Sequence, residues 1–222
     1  ESNKLEKGME IVKSLYFFQD LSQNEEFFFN LVATNGWDHE KNELLVDEEI
    51  FDTSNKRWVS EGRFSIEGRP TLQSAHRTFL DYLTISKDTK TGFYVITFSH
   101  YSPYFAKDAL DLVLNNINEL SRNEDIAIYQ SQVNFLYEEA SKMQYNQIRE
   151  GINSLIEDQI QLISIAKTSP EYLFKVLSKP YAPELESGPN RLAIVVLAAF
   201  FIFVLSSIYV IFRELKLSSD SG

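Results

Sequence analysis

The chain has 222 residues, 44% of them hydrophobic and 14% aromatic, with 21 Lys and Arg against 32 Asp and Glu for a formal charge of −11. That is enough apolar chain for one or two compact domains and excludes a disordered protein. The acidic balance argues against nucleic-acid binding, which needs clustered cations to replace phosphate counterions. The absence of Cys removes disulfides, thiolate metal sites and cysteine nucleophiles together.

Residues 9–18 and 25–32 are aromatic-rich stretches parted by 20–24, and they run into Asn35-Gly36-Trp37-Asp38. Asn-Gly is a strong turn signal, so this region predicts two short helices followed by a reversal. Residues 44–46 and 57–59 are too short to assign. Arg69-Pro70 opens an expected helix, with Pro at an early position where its missing N–H costs nothing, and Leu72, Ala75, Phe79 and Leu80 fall on one side. Residues 82–87 and 93–99 are β-prone and flank a loop containing Gly92, which predicts a hairpin.

Ser102 and Pro103 read as N-cap and first helical residue. Beyond them Ala106, Leu110, Val113, Ile117 and Leu120 recur at spacings of four and three. After a phase change the seam resumes through Ile126, Tyr129, Val133, Leu136, Ala140 and Met143. No Pro or Gly interrupts residues 104–150, roughly 70 Å of chain if it were one helix. So narrow a seam needs a partner helix. Gly151 marks a break, and Ile148, Ile152, Leu155, Leu162 and Ala166 carry the rhythm to Thr168. The expectation is a helical hairpin over about 103–168 with its tip between Gln144 and Gly151. A single helix through Gly151 is the alternative, since Gly there costs only about 1 kcal/mol. Ser169-Pro170 ends the helix, and residues 171–178 alternate well enough for a strand that would rejoin the earlier hairpin. The predicted class is α+β, a base at 1–178 carrying a long helical extension.

Residues 179–190 contain Pro180, Pro183 and Pro189, which preclude helix and favour stiff, extended chain. An inert spacer and a fixed-orientation connector both fit them. Residues 192–212 carry no charge and would make a helix of roughly 30 Å, so a transmembrane helix is expected at 191–213 with a short cytoplasmic tail at 214–222. Arg191 precedes this segment and Arg213 and Lys216 follow it. That balance places the C-terminal side in the cytoplasm and the acidic body outside it. A transmembrane helix or signal upstream of Glu1 is then expected. No Asn stands in an N-x-[ST] sequon, which favours a bacterial setting.

Three stretches, NGWD at 35–38, GFYVITFSHYSPYFAKDALDLVLNNIN at 92–118 and EYLFKVLSKPYAPELESGPNR at 171–191, resemble the Wzz-type polysaccharide chain-length determinants, or polysaccharide co-polymerases. The likeness runs in order from about Met9 to Phe212. Its most specific part is the proline segment, where Pro180, Pro183 and Pro189 match the family's proline-rich motif. The family usually carries glycines in its second membrane helix. Here the small positions are Ala193, Ala198, Ala199, Ser206 and Ser207, the candidates for close helix packing. No G-x-x-x-x-G-K-[ST] motif follows, so the chain is similar to the branch lacking a tyrosine-kinase domain.

The resemblance implies a periplasmic α+β base with a long helical protrusion, held in a bacterial inner membrane and assembled as a homo-oligomeric ring. It implies a regulator of the chain length of O-antigen or a related surface glycan, acting with a Wzy-type polymerase on lipid-linked glycan and doing no bond chemistry. The residues agree in offering no catalytic, metal or cofactor constellation. His39, His76 and His100 are far apart and in no metal-binding spacing. Nucleophile-elbow and dinucleotide fingerprints are absent, and Asp47-Glu48-Glu49 reads as a solvated charge run. The rival reading is a membrane-tethered adaptor of an export system, docking a partner through its helical hairpin. A glycan hydrolase, the third reading, needs two carboxylates roughly 5–9.5 Å apart in a cleft.

Overall fold

A computed structural model describes residues 2–61, 65–183 and 191–219, with the side chains of 2, 191–193 and 210–219 outside the description. The chain falls into two compact units, Glu1–Ala182 and Pro183–Gly222. The first begins with three helices, α1 (Ser2–Val12), α2 (Leu15–Leu21) and α3 (Glu25–Val32). Each break carries its own cap. Ser14 accepts from the Phe17 amide and Asn24 from the Phe27 amide, and Glu25 and Glu26 lie in the first turn of α3, where negative charge is favoured.

Three short antiparallel pairs follow: β1 (Thr34–Asp38) with β2 (Glu43–Val46), β3 (Phe51–Asp52) with β4 (Arg57–Trp58), and β5 (Ser65–Ile66) with β6 (Arg69–Pro70). The reversal expected at Asn35-Gly36 lies inside β1, where the register shifts between Thr34 and Gly36. The turn comes after Asp38, whose carboxylate accepts the amides of Glu40 and Lys41, and Asn42 takes φ 55°. Gly36 therefore serves a bulge rather than a turn. Between β5 and β6 both turn residues have positive φ, Glu67 at 53° and Gly68 at 82°. A Cβ at Gly68 would collide with the Trp58 carbonyl oxygen. Arg69-Pro70 is strand, and the next helix, α4 (Leu72–Tyr82), is capped by Thr71, which accepts from the Ser74 amide.

A true hairpin, β7 (Leu83–Lys87) and β8 (Tyr94–Phe98), pairs Leu83 with Phe98 and Lys87 with Tyr94. Ser102 caps α5 (Pro103–Lys142), which turns back at 143–145 into α6 (Asn146–Thr168). At about 1.5 Å per residue α5 is about 60 Å long. Gly151 lies inside α6, so the break falls a few residues before it. The core sits at the base, where Phe17, Phe18, Leu21 and Phe79 are at most 1% exposed and pack with Val113 and Ile117 from the root of α5.

Two further expectations are corrected. Residues 171–178 form no strand, and the described strands make four separate two-stranded sheets. Leu173 and Phe174 are adjacent yet both buried, which breaks the alternation a strand requires. Their amides are also taken by the Asn118 side chain. The second correction concerns the membrane. The C-terminal helix α7 is Arg191–Ser219, and among the described residues no helix is long and apolar enough to cross a membrane. The fold class is thus helices with small antiparallel sheets. The transmembrane helix, the inner-membrane anchor and the periplasmic placement of the body are not supported.

Candidate functional site

Polar residues on one face of α5 fasten the chain that returns from the hairpin. Asn118, Arg122 and Asp125 recur at spacings of four and three, which aligns them along the helix. The Asn118 carbonyl oxygen accepts the amides of Leu173 at 2.7 Å and Phe174 at 2.9 Å, and its amide nitrogen donates to the Leu114 carbonyl at 3.0 Å. Arg122 donates to the carbonyls of Ser169 and Pro170. Asp125 accepts from the Tyr172 hydroxyl at 2.7 Å and pairs with Lys4, whose ammonium also lies 4.4 Å from the Tyr172 ring centre. Burial pushes the Asp125 carboxyl up, but the hydrogen bonds from Lys4 and Tyr172 and the charges of Lys4 and Lys7 outweigh it and hold it below the usual range. Burial first, then the bond to Asp125, raises the Tyr172 phenol above its ordinary value. Gly8 of α1 completes the junction, since a Cβ there would run into Leu173 and Phe174. The hairpin is thereby tied rigidly to its base.

Above this root the helices meet along a thin seam. Val133, Ile156 and Ile163 are buried together, with Tyr129, Leu136 and Ile152 against them. A second set remains uncovered: Ile128 and Phe135 on α5, and Ile148, Leu155 and Leu162 on α6, are 40–61% exposed. Each set repeats every seven residues. The antiparallel register set by Val133 against Ile152 and Ile156 brings Phe135 level with Leu155 and Ile128 level with Leu162, on one side of the hairpin. The sequence reading placed Ile148, Leu155 and Leu162 in the seam itself; the structure buries Ile156 and Ile163 there and leaves those three exposed, because the neighbouring seam residues carry the same period. What could have found the stripe is the surplus of apolar positions over those one two-helix seam can bury.

None of the expected site residues belongs to this stripe. Pro180 and Pro183 are in chain without regular structure, and Pro189 falls outside the described residues. Ala198, Ala199, Ser206 and Ser207 lie in α7, where both serine hydroxyls donate back to the Phe203 carbonyl. The side chain of Ala193 is outside the description.

The histidines do not converge. His39 stacks edge-on against Trp37, and His76 Nε2 meets the Lys13 carbonyl at 2.8 Å. His100 is boxed by the rings of Tyr82, Tyr101 and Phe105. Burial lowers its pKa to about 4, against a weaker opposing pull from the Asn30 backbone. Its Nε2 is buried without a partner in hydrogen-bond geometry. Among the described residues no group of three His, Asp or Glu is placed to hold a metal ion. Neither a protein-family model nor a curated protein matches this chain.

Proposed function

We propose that this chain regulates the chain length of a surface polysaccharide as a self-associating, noncatalytic partner of a Wzy-type polymerase acting on lipid-linked glycan. The observation that carries the reading is the uncovered heptad stripe of Ile128, Phe135, Ile148, Leu155 and Leu162 on a hairpin tied firmly to its base. A period of seven suits another long helix laid alongside, and a second copy of this hairpin supplies one of matching length. A strongly acidic chain associates with itself most readily through such an uncharged strip. The ordered resemblance to Wzz-type chain-length determinants through residues 35–38, 92–118 and 171–191 supplies the glycan and the polymerase.

The test has two parts. Deleting the gene shifts the length distribution of the surface polysaccharide on a gel, and Phe135→Glu with Leu155→Glu, both at exposed positions, dissociates the purified oligomer and reproduces that shift. An unchanged length distribution after deletion overturns the function. A wild-type chain that is monomeric at every concentration overturns self-association.

A further inference from the structure

The ladder of the β7–β8 hairpin leaves one row of backbone groups pointing away from it. Asp88 donates its amide to the Phe93 carbonyl, and Ser99 donates to the Tyr82 carbonyl. In an antiparallel pair such bonded positions alternate with positions whose N–H and C=O face outward. The pairs Leu83 with Phe98, Ile85 with Ile96 and Lys87 with Tyr94 are therefore of the outward kind. On β8 the N–H and C=O of Tyr94, Ile96 and Phe98 line the free edge, and nothing among the described residues bonds to them.

Edges of this kind are normally blunted by a charge, a proline or a bulge. β1 carries Asp38 and a register shift, β2 carries Glu43, β6 ends in Pro70 and β7 in Lys87. β8, Tyr94-Val95-Ile96-Thr97-Phe98, has none of these. Its outer face is open, with Phe93 55% and Val95 52% exposed and Thr97 exposed beside them, while Tyr94, Ile96 and Phe98 pack toward the core. An uncharged edge of β-branched and aromatic residues is one to which a further strand adds.

A second copy of β8 matches it. Laid antiparallel across a two-fold axis at Ile96, the copy sets its Ile96 against Ile96, its Phe98 against Tyr94 and its Tyr94 against Phe98. Every outward N–H and C=O of one edge then meets its complement on the other. The faces agree as well, because opposite residues of an antiparallel pair share a side: the core-facing rows join, and Val95 meets the copy's Thr97 on the outer face. On a chain of net charge −11, this contact brings no like charges opposite one another. A foreign strand has to supply such a match residue by residue, whereas the copy has it by symmetry.

We propose that two copies of this chain pair through β8, forming one continuous antiparallel sheet in the order β7, β8, β8, β7. The contact stands on the strand edge and uses none of the stripe on the helical hairpin.

The chain contains no Cys, so disulfide trapping reads the register. Val95→Cys and Thr97→Cys chains, mixed and oxidised, are expected to cross-link, because the two positions face each other with Cα atoms about 4.5 Å apart, within reach of a disulfide. Either chain alone cross-links about fivefold less, since identical positions are offset along the strand by a diagonal of about 7–8 Å. Sedimentation in a Phe135→Glu, Leu155→Glu background isolates this contact from the stripe, and the expected species is a pair. Adding Val95→Lys with Thr97→Lys places like charges opposite each other and gives single chains. Adding Thr84→Lys with Ser86→Lys instead, the same charge on the exposed face of β7, leaves the pair intact. Cross-linking of the mixture no better than that of either chain alone overturns the pairing, as does a pair that survives the lysines at 95 and 97. A background variant that is monomeric at every concentration also overturns it, leaves the edge to a foreign strand and leaves the proposed function standing. If the stripe glutamates do not change the oligomer while the cross-link forms as expected, the stripe falls and the strand contact stands.

Discussion

The base and the far end of the helical hairpin are built from the same residue types and stabilised very differently. At the base, Phe17, Phe18, Phe27, Phe28 and Phe79 from three helices meet the hairpin strands and the root of α5, so each ring is enclosed from several directions. Beyond Asp125 the buried set shrinks to Val133, Ile156 and Ile163. Two helices in contact can each bury only a stripe, and half of what a third neighbour would cover stays open. The difference locates cooperativity at the base, and it makes association the means by which the outer hairpin gains further burial.

The sharpest way to break the comparison is a matched pair of truncations. Phe79→Ala empties a fully enclosed site and is expected to destabilise the base by about 3–5 kcal/mol, whereas Val133→Ala is expected to cost about 2 kcal/mol or less and to act locally. Hydrogen exchange separates them. Phe79→Ala raises exchange in α1–α5 together, while Val133→Ala raises it only in the outer halves of α5 and α6. Global loss of protection from Val133→Ala would mean that the hairpin and base unfold as one.

Asn118 lies where the regions join, and its replacement by Ala has the next largest effect. The substitution leaves the amides of Leu173 and Phe174 without an acceptor in a buried setting, at a cost of about 2–3 kcal/mol. The expected result is a lower urea midpoint together with faster exchange in residues 169–174. A fall in stability that leaves those residues protected would show that Arg122 and Tyr172 suffice to hold them.

This junction also shows what a sequence can reveal of such a molecule. The β7–β8 hairpin and the Ser102 cap rest on local signals, alternation and a capping hydroxyl before Pro, whereas the helices turn back at 143–145, ahead of Gly151, the residue that marked the break in the sequence and that lies inside α6. Residues 171–178 carry an equally good local signal for a strand, but the backbone partner they need is replaced by one side chain 55 residues earlier. That partner is visible only after folding. The apolar run near the C-terminus was easy to see, yet among the described residues no helix is long and apolar enough to cross a membrane.

Acid sharpens the contrast with the smallest expected effect. All three histidines precede residue 103, so the hairpin helices contain none. His100 has a folded pKa of about 4 against an ordinary value of 6.5, because its ring is buried neutral among Tyr82, Tyr101 and Phe105. The unfolded chain therefore takes up a proton at higher pH than the folded one. The stabilisation is complete above about pH 6.5 and is lost as pH falls toward 4, and by pH 4.5 the loss amounts to on the order of 2 kcal/mol. Asp125 is held below the usual carboxylate range and contributes little in this window. Urea midpoints at pH 7 and pH 4.5 should therefore fall steeply for the wild type and less for His100→Phe. Exchange protection of the outer hairpin, once corrected for the intrinsic pH dependence of exchange, should not change across the same interval. If His100→Phe keeps the wild-type slope, the acid sensitivity arises elsewhere. If the outer hairpin loses protection in step with the base, the two regions are one cooperative unit, and the thin seam between α5 and α6 is stronger than its burial implies.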